Sequence, residues 1–410
     1  MADTATLAQT TKPIPAHVPP EMVMEFRFQD DAEFQRDPYA RFDALRARGR
    51  AIYTPFARGV GGTGGWVFTH AEDIRTIMQD PETFRSSGVR KTGQVIGDNW
   101  VLIPTDLDPP EHGKFRTLMN PIFSPKRMAL LEERVRSLAV ELIEKMKGRS
   151  SCEVIADFAR PFPVGIFLEM LGLPADQIDR LVEIEETILH TPHHEQVNGI
   201  RALRDYLAVE IEARRKVPTD DLITFAINSQ VDGRPANDDE VMGMCFMLFL
   251  GGLDTVTSTL SYVFHYLATN PDQQAKLRAD LSLIPDAVEE LIRTHAVVTT
   301  GRIATRDVTV GGVFIKAGDY ISMPMGGASR DPAEFERPTE VIFERSPNRH
   351  SAFGYGPHRC IGSHLARRET VIALEEWLTR APPFRLQPGA KISSTGSGVV
   401  SLNQVPIVWS

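Results

Sequence analysis

The chain has 410 residues, 42% hydrophobic and 24% charged, which is the make-up of an ordinary globule able to bury a sizeable core. Its formal net charge of −9, with no basic tract, argues against a nucleic-acid partner. Cys152, Cys245 and Cys360 form no framework and fit a reducing compartment, not a disulfide scaffold.

Along the chain, Pro13, Pro15, Pro19 and Pro20 mark residues 1–25 as a flexible N-terminal arm. Residues 26–410, with no Ser/Gly linker or repeat, read as a single domain. Met1-Ala2-Asp3-Thr4 lacks a basic n-region and no long apolar segment follows, so a cytoplasmic location is expected. The longest apolar run, 241–253, is 13 residues and predicts no membrane span. Strands are expected at 51–54 and 66–69, and a hairpin at Gly311-Gly312, with Val308 and Val310 on one side and Val313 and Ile315 on the other. In Asp108-Pro109-Pro110-Glu111-His112-Gly113-Lys114-Phe115-Arg116, His112 and Arg116 share a helical face; alone, that is equally a solvent-facing helix start.

From Asn237 to about Thr269 the pattern is one helix of roughly 48 Å, capped by Asn237 with Glu240 and stopped by Asn270-Pro271. Its first half is apolar nearly all round, so it should run through the interior. There Gly251-Gly252-Leu253-Asp254-Thr255 stands out: two glycines weaken a helix by roughly 1 kcal/mol each, and a carboxylate follows amid apolar neighbours. Helix packing explains such a segment as readily as chemistry does, with Thr255 bonding back to a carbonyl one turn earlier. Glu290 and Arg293, three apart on a helix, make an ion pair that by itself is usually a surface contact.

The run Phe353-Gly354-Tyr355-Gly356-Pro357-His358-Arg359-Cys360-Ile361-Gly362 then leads into a helix beginning Ser363-His364-Leu365. The thiol sits at a helix N-terminus, where unpaired N–H groups favour a thiolate, and Gly362 clears space beside the sulfur. A buried, inert thiol is the ordinary alternative. Zinc on His358, Cys360 and His364 would lack a second Cys/His pair.

This loop resembles the haem-binding loop of the cytochrome P450 superfamily, and Phe162-Pro163-Val164, Asp220-Asp221-Leu222-Ile223, residues 251–255 and Ser329-Arg330-Asp331-Pro332 follow the family order. Glu376-Trp377-Leu378-Thr379-Arg380 onward is similar to the bacterial camphor 5-monooxygenase group. The resemblance implies a mainly α triangular-prism fold with a small β-region. It also implies a haem b cofactor ligated by Cys360, with Phe353 and Gly362 beside it and His112, Arg116, Arg302 and His358 toward the haem propionates. Thr300 stands where close relatives often have an aspartate, which leaves the bonding around one propionate open. Asp254 and Thr255 match the acid–alcohol pair that supplies protons for dioxygen cleavage. Glu290 and Arg293 match the structural pair that braces the core beneath the haem loop.

The substrate pocket carried over from the resemblance comprises Trp100, Met247, Leu250, Gly251, Val298 and Val399. Trp100 replaces the tyrosine that holds camphor's ketone, so the expected substrate is a small hydrophobic terpenoid or norisoprenoid, ionone- or camphor-like. Camphor hydroxylation proper and a non-catalytic haem-thiolate sensor are the alternatives, with a peroxide-driven enzyme behind them. No flavin or NAD motif is fused to the chain. Electrons should therefore come from a 2Fe–2S ferredoxin served by an NADH-dependent reductase. That ferredoxin should dock on a basic patch of Arg75, Lys114, Arg116 and Arg359, although Glu82 and Gly113 stand where camphor-type relatives tend to be basic. A monomer is expected.

Overall fold

The computed structural model describes residues 13–28, 30–56, 64–191, 193–396 and 398–409. Helices dominate, and they are arranged about the one spanning Asp238–Thr269. That helix begins as its sequence dictates: the Asn237 side chain accepts from the Glu240 N–H at 2.9 Å, and Glu240 Oε2 accepts from the Asn237 N–H at 2.8 Å. The reciprocal bonds satisfy two otherwise orphaned donors. By length and composition this helix could cross a membrane, but 72% of its most apolar window is buried inside the fold. It is a core helix, and two large apolar clusters meet on it, one containing Leu260 and Phe264 and the other Phe246 and Phe249.

The largest sheet has five strands in the order Ala51–Thr54, Gly65–Phe68, Tyr320–Pro324, Thr299–Ala304, Phe84–Arg85. Tyr320–Pro324 runs parallel to Gly65–Phe68 and antiparallel to Thr299–Ala304. The second expected strand thus starts one residue earlier than the alternation suggested. A smaller sheet joins Ser151–Glu153, Phe384–Leu386 and Pro406–Trp409. The hairpin at Gly311-Gly312 forms, both glycines adopting positive φ (55° and 81°), which suits a tight turn between Val308–Val310 and Val313–Ile315.

Part of the expected flexible arm, residues 1–12, lies outside the described residues. The rest of it, 13–25, is packed: Val18 is buried, His17 bonds Asp319 at 2.8 Å, and Val23 bridges to Tyr53. The prolines there shape a tight turn, with the Val18 N–H donating to the Pro15 carbonyl, so the chain is held well before residue 26.

Candidate active site

The thiol loop is built by its glycines. Gly354 and Gly356 have φ of +67° and +66°, and a Cβ on either would lie 2.8 Å from Met78 Cε or 2.5 Å from the Met78 carbonyl oxygen. The bend closes when the Cys360 N–H donates to the Phe353 carbonyl at 2.8 Å, and a helix runs from Ser363–Arg380. A Cβ on Gly362 would touch Cys360 Sγ at 4.0 Å, so that position keeps one flank of the sulfur open. Cys360 is exposed, but onto an internal cavity of about 550 Å³.

Burial pushes the free Cys360 thiol above its ordinary range. The Gly362 N–H and the Arg116, Arg359 and Arg367 guanidiniums oppose that shift without overcoming it. A metal bound at the sulfur would deprotonate it outright.

On the opposite wall the central helix presents Met247, Leu250, Gly251, Asp254 and Thr255 to the same cavity, with Val298 and Val399 at its side. Asp254 is buried and accepts from Ser258 Oγ at 3.4 Å, while Thr255 Oγ1 donates to the Gly251 carbonyl at 3.4 Å. The two glycines divide the roles considered for them. A Cβ on Gly252 would lie 2.2 Å from the Phe167 ring, so Gly252 admits the crossing helix Pro161–Met170. Gly251 faces the cavity, and its nearest neighbour would be the flexible end of Met247 at 3.0 Å.

A third corner gathers nitrogen. His112 and His358 stack with ring centroids 4.0 Å apart. Burial, then Arg116, lowers His112 to about 4, and burial with Arg302 and His112 lowers His358, so both rings are neutral near pH 7. Arg302 is 4% exposed; its Nη1 donates to the Gly301 carbonyl at 2.8 Å, and its Nη2 has no hydrogen-bond partner. His112 Nε2 is likewise buried and unpartnered. Burial, then Arg90, lowers the guanidinium to about 10. The buried Arg302 guanidinium, with a donor unsatisfied, favours an anion, and His112 Nε2 can share a hydrogen bond with it. Haem fits: a flat apolar ring with two carboxylates would set its iron against Cys360 and its propionates against Arg302 and His112. Arg116, by contrast, gives its Nη1 to the Arg359 carbonyl at 2.8 Å, although it also lines the cavity.

Glu290 and Arg293 are fully buried and paired at 2.7 Å. Arg293 also donates to the carbonyls of Ser329, Pro338 and Glu340, and Glu290 accepts from Arg345. The short E-x-x-R spacing thus holds together three separate stretches of chain, among them the segment leading to the thiol loop.

Trp100 is corrected outright. It is buried, but it lines a separate small pocket near Asn237 and Glu240, and not the main cavity. Its Nε1–H donates to Asp98 Oδ2 at 2.8 Å, its ring lies on Phe246 with centroids 4.6 Å apart, and Asp98 is anchored by Arg204 at 3.0 Å. Leu102, Pro104 and Thr105 line the main cavity in its place. Sequence reasoning also missed Arg90, Phe167 and Thr259 in the lining; Thr259, one turn beyond Thr255, was the one with a periodic signal. The expected basic docking patch is thinner than its composition. Arg75 pairs with Glu334 at 2.9 Å and Lys114 with Glu111 and Asp232, leaving Arg116 half-buried and Arg359 exposed without ion pairs among the described residues.

Comparisons with known proteins agree with this geometry. Residues 167–407 match the family model described as Cytochrome P450. The chain is 37% identical to a probable cytochrome P450 127A1 of Sinorhizobium fredii, with all of both chains covered. It is 32% identical to the mycinamicin IV hydroxylase/epoxidase of Micromonospora griseorubida, covering 85% of this chain and 90% of that one. The crystal structure of cytochrome P450 CYP101C1 superposes with a TM-score of 0.86 at 33% identity, covering 97% of this chain and 100% of that one.

Proposed function

Given that the chain belongs to the cytochrome P450 family, and is therefore a haem-thiolate monooxygenase that binds haem b, we propose that it hydroxylates a small hydrophobic terpenoid or norisoprenoid ketone. The observation that carries the substrate reading is the lining of the cavity opposite Cys360: Phe167, Ile188, Ile200, Met247, Leu248 and Leu250 give it an apolar wall, in which Thr105, Gln196, Asp254 and Thr255 supply polar groups. With Trp100 turned away, Thr105 is the hydroxyl best placed to hold a carbonyl. Its present acceptor is Met247 Sδ at 3.1 Å, a weak one that a ketone oxygen would replace.

Haem, when bound, supplies dioxygen activation at its iron. The protein's part is distributed among its own residues. Cys360 would ligate the haem iron through sulfur, and Arg302 and His112 would bind and orient the propionates. The apolar wall excludes water and aligns the C–H bond under attack. The Asp254 carboxyl borders the cavity where it can relay protons, and the Thr255 hydroxyl, bonded only loosely to Gly251, is free to rotate and pass them on.

We further assign electron delivery to a 2Fe–2S ferredoxin with an NADH-dependent reductase, and a cytoplasmic, monomeric state. Because two of the four basic groups expected for docking, Arg75 and Lys114, are already ion-paired, the salt dependence of that encounter should be shallow. Soret difference spectra with a panel of terpenoid ketones test the substrate reading. Ionone-sized ketones should shift the band to its high-spin position, whereas camphor shifting it fully with larger ketones inert would overturn the assignment.

A further inference from the structure

Glu185 is a buried carboxyl that the chemistry above does not use. It sits on the helix Ile178–His190, is 5% exposed, and is not among the residues lining the cavity, although Ile188 and Leu189 on the same helix are. Its carboxyl lies within hydrogen-bonding reach of the Asp254 backbone N–H and feels the Asp254 charge directly. Its Oε1 is buried with no hydrogen-bond partner. The cation that acts on it, Arg160, is 37% exposed and bound to Glu186 at 2.7 Å. Glutamine or leucine would fill this site without placing a second acid beside the first.

We propose that Glu185 is the second carboxyl of the proton supply, holding a proton that it passes to Asp254 from the side of the central helix away from the cavity. This rests on reading Asp254 as the group that gives protons into the cavity, and Glu185 acts through Asp254, never on the substrate. Burial, then the neighbouring Asp254 charge, pushes the Glu185 carboxyl well above the usual carboxylate range, which favours its protonated form. When Asp254 loses its proton toward the cavity, a carboxylate appears next to a neutral acid. The Glu185 O–H breaks as an Asp254 O–H forms. Glu185 then takes a proton from water at the edge marked by Arg160 and Glu186, which are 37% and 45% exposed. One proton crosses for each one consumed, and two adjacent acids never remain ionised together.

Glu185→Gln keeps the shape and removes the transferable acid. In the haem-loaded enzyme at neutral pH, the infrared difference between wild type and Glu185→Gln should contain the C=O stretch of a protonated carboxyl, moved by D2O. Turnover is measured with the panel ketone that gives the largest Soret shift. Glu185→Gln should lower product formed per NADH, slow product formation about tenfold and enlarge the solvent isotope effect, while leaving the Soret shift intact. Glu185→Asp should recover part of each, and it serves as the test if the glutamine variant does not fold. Absence of the protonated-carboxyl difference, or a wild-type isotope effect and coupling in Glu185→Gln, overturns the proposal; a lowered thermal midpoint alone with those readouts unchanged does the same. The parent reading fails separately, if Asp254→Asn couples electrons to product as wild type does.

Discussion

Replacing Arg302 by leucine should move the haem-free and haem-loaded proteins in different directions. In the structure this guanidinium spends one nitrogen on the Gly301 carbonyl and leaves Nη2 buried without a partner. Its fall from 12.5 to about 10, caused first by burial and then by Arg90, corresponds to about 3 kcal/mol against keeping it charged without haem. Against that relief stand the lost Gly301 bond, about 1 kcal/mol, and imperfect packing of a shorter side chain, about another. The haem-free variant should therefore unfold in urea within about 2 kcal/mol of wild type. With haem present, a buried charge-assisted bond of about 2–3 kcal/mol to a propionate is removed, and haem should leave roughly 30–150 times faster. Transfer of haem to excess apomyoglobin, followed at the Soret band, measures that rate. A haem-free variant destabilised by well over about 3 kcal/mol, together with an unchanged transfer rate, would show that Arg302 serves the sheet and not the cofactor.

Thr255→Ala should divert electrons from hydroxylation to peroxide while leaving haem retention unchanged; equal product per NADH would count against the relay. Arg293→Met should cost about 3–5 kcal/mol by removing the bonds to three carbonyls and leaving buried Glu290 with Arg345 as its remaining cation, seen as a fall in the urea midpoint. Gly252→Ala should destabilise the fold through Phe167. Gly251→Ala should spare stability and alter ligand-induced Soret shifts, since only the end of Met247 must yield. Burial pushes the Glu289 carboxyl up, but hydrogen bonds from Arg367 and His350 outweigh it and hold it at about 2. Its folded value lies below its unfolded one, so its contribution is present above about pH 4 and is lost as pH falls toward 2. Glu289→Gln should therefore flatten the acid limb of the stability profile between those values.

The parts of the site that were legible in sequence are those whose geometry is made by near neighbours. The capping box of the central helix needs Asn237 and Glu240 alone, and the thiol loop is bent by its own glycines at positive φ. Trp100 was misplaced because its chain position is beside the cavity while its rotamer is decided elsewhere. Asp98 takes its N–H, Arg204 fixes Asp98 from a helix more than a hundred residues away, and Phe246 offers the ring a face. Cys360 shows the same division: the helix terminus is local and visible, whereas the burial that outweighs it is a property of the assembled cavity.

Glu185 lies between these cases. Leu181, Ile184 and Ile188 form the buried stripe of its helix, and Glu185 falls at i+4 from Leu181, inside that stripe. The periodicity therefore placed a carboxyl against the core. Nothing local in the run with Glu183 and Glu186 reveals that the surface Glu185 meets is Asp254. A carboxyl within an apolar stripe has few stable outcomes: a cation neutralises it, or a proton does. Arg160 is half-withdrawn toward Glu186, and the proton is what the geometry leaves. A buried acid whose raised affinity for a proton comes partly from Asp254 is, on the proposal above, a reserve for the carboxyl that borders the cavity.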